Sequence, residues 1–287
     1  IDLLGSKTLR KILTGYGYDY EPTSDSQLLA RHVLKHIGFP VNDLPQGLDS
    51  IRETISRAGS RIGLLNEKEA LNGCVMDAAH LLEFLFQLLI RFLTKVLLRE
   101  APESYLRRKK ILEETMQLSR CSLGKLISIL DFMKKDIEST VNPQSQIFLK
   151  LLSRRPILPA DSRSLPELRN KFVHFNEAMQ NLDIESIRQS AKVFFEQAEA
   201  VLSYLADPQD RIFPRVIKVC GIHIDSWGRR RIEAKSDDGK LESIFVDALL
   251  QPGAIYLMHP LTNPMRVDPI LVPAGDMPET IDTSFTN

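Results

Sequence analysis

The sequence predicts a mainly α fold, a helical bundle followed by a small C-terminal antiparallel β module. Three observations carry this reading. Two long stretches, Glu67 to about Glu100 and Glu103 to about Ser139, keep apolar residues at helical spacing with no internal proline. Two further helical stretches follow, Ser164 to about Met179 and Asp183 to Leu205. After Pro208 the pattern changes to short, β-branched runs between turn residues.

Residues 1–62 read as short helices with turn punctuation: Thr8–Leu13, a loop over residues 15–22, Ser24–Ile37 stopped by Gly38 and Pro40, and Leu48–Gly59. We read this segment as a lid on the bundle rather than a separate module. The bundle spans residues 63–207. Gly73 and Gly124 weaken its two long helices locally, and Asn142-Pro143 ends the second. Ile147–Leu152 is a short apolar stretch, and the prolines of Arg154-Arg155-Pro156-Ile157-Leu158-Pro159 enforce a loop. Pro166 and Glu185 stand in the first turns of the last two helices, which makes four main helices. Residues 208–287 hold the β module. Its strands are Val216–Ile224, a hairpin of Arg229–Lys235 and Lys240–Val246 across Asp237-Asp238-Gly239, then Ala254–Met258 and Val267–Leu271. The tail from Ala274 is polar and frayed.

Composition narrows the function classes. With 287 residues the chain can bury a core without staples, and 43% hydrophobic with 26% charged residues is an ordinary globular balance. Lys plus Arg (37) cancels Asp plus Glu (37), so only the distribution of charge can point to a polyanion. Cys74, Cys121 and Cys220 are scattered and form no CxxC, which excludes a disulfide framework or zinc knuckle and fits a reducing cytoplasm. The most apolar stretch, Leu81 to Leu98, is interrupted by Glu83, Arg91 and Lys95, so it reads as a buried helix and no membrane partner is expected. Ile1 stands where a Met would open a chain, which reads as a trimmed chain or part of a longer protein. No Walker loop, GxGxxG, GxSxG, HExxH or Cys/His cluster is present, so neither a cofactor nor a metal is expected.

One constellation carries chemistry. On a helix turning about 100° per residue, Leu165, Leu168, Phe172, Phe175 and Met179 share a face, while Asn170 and His174 lie together on the opposite side. Arg169 sits at the border, roughly 140° from His174, so a second chain could complete the site. The run Arg169-Asn170-Lys171-Phe172-Val173-His174, on a late helix after two long ones, resembles the HEPN family (higher eukaryote and prokaryote nucleotide-binding domains). The resemblance covers about residues 63–207 and stops short of the β module. It implies an HEPN-like helical bundle and a homodimer in which two motif copies face each other in one metal-independent RNase site. On that reading Arg169 holds the scissile phosphate, His174 moves the proton and Asn170 orients its neighbours. RNA carries its own nucleophile, the 2′-OH, so paired His and Arg can suffice, with a 2′,3′-cyclic phosphate as product and DNA inert. The implied setting is a toxin or phage-defence endoribonuclease with an antitoxin or sensor protein as partner; the alternative is a non-catalytic HEPN-type module binding nucleotide, RNA or protein.

Spacing alone does not select this motif. Arg31-His32-Val33-Leu34-Lys35-His36 also fits, but on a short helix without long partners, and we treat it as a decoy. A surface arginine paired with Glu167 or Glu177 would be the plain reading of Arg169, and a solvated histidine that of His174. Glu83 is a supporting candidate: either it lies on the exposed stripe of its helix, or it pairs with Arg169 because a carboxylate within an apolar run is costly to bury alone. His80 reads as a core or edge histidine. Arg154, Arg155 and Lys171 are candidate RNA contacts, and Arg107–Lys110 and Arg229–Arg231 are further basic runs. Trp227 could stack a base, although a lone Trp in a small β module is more often its core.

Overall fold

Leu48, Ile51 and Ile55 recur at helical spacing and are fully buried along one face of α1 (Leu48–Arg61). This computed structural model describes residues 47–100, 118, 121–142, 145–174, 181–207, 210–236, 239–246 and 248–266. The expected helices Thr8–Leu13 and Ser24–Ile37, the decoy motif, the Arg107–Lys110 run, strand Val267–Leu271 and the tail lie outside them.

A 3-10 turn, Ile62–Leu64, leads into α2 (Lys68–Glu100), which is 33 residues long. Its first half is amphipathic, with Leu71, Val75, Ala78, Ala79 and Leu82 inward. From Phe92 to Leu98 every residue is buried, including Thr94 and Lys95. A helix stable in that state must be covered on all sides. The cover comes from α1, α3 (Leu123–Thr140), α5 (Leu165–Val173) and α6 (Ile184–Leu205), with α4 (Ile147–Arg154) packed on α3. α1 also packs directly on α6, and its buried residues belong to the bundle's core.

Three helical expectations change. The expected unbroken helix from Glu103 to Ser139 is interrupted: Cys121 and Ser122 are not helical, Ser122 is extended (φ −71°, ψ 163°), and α3 begins at Leu123. Its first amide is capped from another helix, as shown below. The apolar stretch after Pro143 forms α4, burying Phe148, Leu149 and Leu152. Its C-terminus is stabilised by the Lys134 Nζ, which donates to the Leu152 and Ser153 carbonyls at 2.7 and 2.8 Å. α5 ends at Val173 rather than near Met179, and His174 leaves the helical region (φ −93°, ψ 50°). Val173 and His174 are both exposed. Phe175 and Met179 lie outside the described residues.

The C-terminal strands form one antiparallel sheet in the order β3-β2-β1-β4-β5: β1 (Arg215–Ile224), β2 (Arg230–Ser236), β3 (Leu241–Phe245), β4 (Ile255–Met258) and β5 (Met265–Arg266). Gly239 (φ 84°) turns the expected β2–β3 hairpin, a conformation that favours glycine. One face of the sheet buries Ile217, Val219, Ile232, Ala234 and Tyr256 under Leu250 and Ala254. The other buries Val216, Ile255, Leu257 and Met265 in the bundle's own core. The change at residue 208 is therefore a change of secondary structure, not a break in the core. Trp227 is not in either core: it is 83% exposed in the β1–β2 turn, because that turn projects past both packed faces.

His259, with only 6% of its surface exposed, joins sheet to bundle. Its ring centroid lies 4.4 Å from that of Phe148 and 6.2 Å from that of Phe92. Nδ1 accepts the Leu261 N–H at 3.1 Å, and Nε2 lies 2.7 Å from the Arg211 carbonyl, to which it donates. This arrangement uses the neutral ring, and burial pushes its pKa below the ordinary 6.5. Arg211 in turn pairs with Asp49 of α1 at 3.0 Å, and Lys95 donates to the Arg266 carbonyl at 3.1 Å. Below pH 6.5 the unfolded chain takes up a proton that the folded His259 resists, so stability falls as pH drops through that window and levels off once the folded ring titrates. Urea unfolding at stepped pH should show this decline, and His259→Gln should remove its histidine-dependent part; an unchanged slope in the variant would contradict the assignment.

Candidate functional site

The motif helix α5 is anchored by its apolar stripe, with Leu165 and Phe172 fully buried and Leu168 nearly so. The opposite side presents Asn170, Lys171 and His174 to solvent. The start of α5 lies close to the start of α3: a Cβ added at Gly124 would meet the Pro166 ring at 3.4 Å. That close approach brings three helices, α2, α3 and α5, to one point.

Glu83 of α2 stands at this point. Its Oε1 accepts the Leu123 N–H at 3.0 Å, capping α3, and lies 3.3 Å from Arg169 Nη2. Both side chains are largely buried, at 14% exposure for Glu83 and 17% for Arg169. A carboxylate at a helix N-terminus satisfies an orphan amide and faces the positive end of the helix dipole. The same oxygen therefore serves as cap and as counter-ion. Arg169 also donates from Nη1 to Asn170 Oδ1 at 3.4 Å, while its buried Nε has no hydrogen-bond partner among the described residues.

The sequence expectations sort accordingly. Glu83 is not on an exposed stripe, because α3 and α5 close over it. Arg169 does not pair with Glu167, which is exposed on the far side of its helix; Glu177 lies outside the described residues. Asn170 and His174 are joined by one backbone bond, His174 N–H to the Asn170 carbonyl at 3.0 Å. The His174 ring is exposed and hydrogen-bonds to no described residue, and no bond links it to Arg169. His80 is at the surface rather than in the core. Arg154 and Lys171 are exposed, as a phosphate contact requires.

Arg155 is otherwise employed. Its guanidinium stacks 4.2 Å from the Tyr204 ring centroid, Nε donates to Tyr204 Oη at 3.0 Å, and Nη1 donates to the Asp210 carbonyl at 2.6 Å. Tyr204 Oη donates on to the Pro156 carbonyl at 2.6 Å. With its guanidinium engaged by the Tyr204 ring, the Tyr204 hydroxyl and the Asp210 carbonyl, Arg155 ties the proline loop to the end of α6. Nothing in the neighbourhood of Tyr204 along the chain marks a partner 49 residues away. Among the described residues, no group of three or more His, Cys, Asp or Glu is placed to hold a metal ion, and no helix is long and apolar enough to cross a membrane.

Comparison of the chain with family models, curated proteins and solved structures returned no match. The functional reading therefore rests on the site itself.

Glu83→Ala removes both the cap and the counter-ion, whereas Glu83→Gln keeps an acceptor for the Leu123 amide. Chemical denaturation should give losses of about 2–3 kcal/mol for the alanine variant and about 1 kcal/mol for glutamine. Equal losses would mean that the cap contributes nothing of its own.

Proposed function

We propose that the chain is a metal-independent endoribonuclease of the toxin or phage-defence type, built on an HEPN-like bundle and working as a homodimer. The observation that carries this reading is the Glu83–Arg169–Asn170 cluster on the helix that ends at an exposed His174, whose ring bonds to no described residue. Glu83 and Asn170 restrict the guanidinium to one orientation, so little entropy remains to be lost when it meets a phosphate. His174 caps the C-terminal end of the same helix and is exposed, where a second copy of the motif can reach it.

The chemistry balances with these groups alone. A histidine takes the proton of the 2′-OH as that oxygen attacks phosphorus, the P–O5′ bond breaks, and the 5′-oxygen takes a proton from the second protomer's imidazolium. The products are a 2′,3′-cyclic phosphate and a 5′-hydroxyl. Arg169 offsets the charge that builds on the phosphoryl oxygens. Lys171 and Arg154 extend the positive surface on which the strand lies.

A second reading has its own support. Glu83 already neutralises Arg169, which suits a non-catalytic module that binds a nucleotide, RNA or a partner protein through the same face. Cleavage of labelled single-stranded RNA in EDTA separates the two. The nuclease should yield cyclic-phosphate ends, lose about 10²–10⁴-fold in rate with His174→Ala and about 10²–10³-fold with Arg169→Ala, and be unaffected by His36→Ala. A folded, dimeric and inert wild type would favour the binding module.

A further inference from the structure

The bundle covers only the β1–β4–β5 end of one sheet face, through Val216, Ile255, Leu257 and Met265. The same face continues across β1, β2 and β3 with no cover from the described residues. Register places three rows there: Lys218, Lys235 and Leu241; Gly221, Glu233 and Ser243; His223, Arg231 and Phe245. Apart from Gly221, which is partly exposed, these residues are all exposed. At the end of the last row, the β1–β2 turn adds Trp227 and Arg229.

Two aromatic rings thus stand in solvent at one end of the sheet, Phe245 at 59% and Trp227 at 83% exposure. The backbone that carries Trp227 is fixed, and Phe245 has a cation beside it. Asp225 Oδ1 accepts both the Trp227 and the Arg229 N–H at 2.9 Å, fixing the turn, and Gly228 supplies its positive φ of 76°. The Arg229 guanidinium lies 5.2 Å from the Phe245 ring centroid, and Arg231 donates to Ser243 Oγ. Among the described residues of this face and turn, the cations Lys218, Arg229, Arg231 and Lys235 outnumber the carboxylates Asp225 and Glu233. Both carboxylates are engaged, Asp225 with Arg229 at 2.8 Å and Glu233 beside His223 at 3.4 Å. Glu242 faces the other side, paired with Arg215.

Exposed rings on a defined backbone beside cations are what a single-stranded nucleic acid requires: bases stack on the rings and the backbone follows the positive charge. A duplex hides its base faces and cannot stack this way. We propose that the open β1–β2–β3 face, with Trp227 and Phe245 as stacking platforms and Lys218, Arg229, Arg231 and Lys235 along the backbone path, is a docking surface for single-stranded RNA. The choice of RNA rests on the cleavage reading; the stacking and charge argument does not. The surface lies on strands that contribute nothing to the Arg169 cluster, so it holds the strand independently of any cutting.

Trp227 is the only tryptophan in the chain, so its fluorescence reports on this turn alone. The test uses the full chain as His174→Ala, so that bound RNA stays intact, titrated with oligo(U). Saturable quenching is expected, absent with duplex RNA and with heparin. In anisotropy titrations of labelled oligo(U), Trp227→Ala, Phe245→Ala and Arg231→Ala should each weaken binding about tenfold. All three positions are exposed, and unchanged circular dichroism and unfolding midpoints would confirm that the fold is intact. No quenching by oligo(U), equal quenching by heparin, or a blue shift with anionic vesicles in place of RNA would overturn the proposal. Quenching in His174→Ala with no cleavage by the wild type would keep the surface and remove the nuclease; cleavage without quenching would do the reverse.

Discussion

The stretch of α2 from Phe92 to Leu98 has no solvent face, and much of the architecture answers that constraint. From Phe92 to Leu98 the helix is apolar except for Thr94 and Lys95, and all seven side chains are buried. Val216, Leu257 and Met265 of the sheet share its core, and Phe148 of α4 and His259 lie against Phe92. Burying Lys95 is tolerable in part because its ammonium reaches the Arg266 carbonyl. His259 completes the join by filling the gap between Phe92 and Phe148 with a ring whose two nitrogens are both satisfied. The C-terminal strands thus share the core that buries the longest helix among the described residues.

A second consequence concerns Glu83. A carboxylate so placed would be costly if it met only apolar side chains. It meets instead the two groups that most favour its charge, a helix N-terminus and a guanidinium, so burial fixes its position at tolerable cost. The orientation of Arg169 is in this sense a by-product of how α3 begins. Any chemistry assigned to Arg169 inherits that geometry, because the arginine cannot swing away without leaving a buried carboxylate unpaired.

Much of the helical order was legible because it is periodic. Leu48, Ile51 and Ile55, the stripe of α5, and Asp183 as the cap of α6, whose carboxylate accepts the Ser186 amide at 2.8 Å, all announce themselves within a few residues. The hairpin at Gly239 did so through its turn chemistry. What the sequence hid were contacts between distant segments. The start of α3 depends on a carboxylate 40 residues earlier, so local pattern ran one helix through Cys121 and Ser122. Arg155 looked like a basic residue in a loop; its partner Tyr204 lies in another helix. Trp227 was read toward the core by residue type, and only the sheet's register shows that its turn lies beyond both packed faces. The pairing of Glu83 with Arg169 could be raised from cost alone, but choosing it over an exposed stripe required knowing what covers that side of α2.

Glu83 and Lys95 stand twelve residues apart on one proline-free helix, about 18 Å along its axis. The first orients the arginine; the second receives the sheet. Between them the helix runs without a break, so the two ends share a single rotational phase. Turning α2 by one residue to repack the sheet would carry Glu83 about 100° away from both of its partners. Sequence drift at either end is therefore confined to changes that preserve the phase at the other. The sheet and the arginine cluster belong to different layers of the fold, yet they must evolve as one.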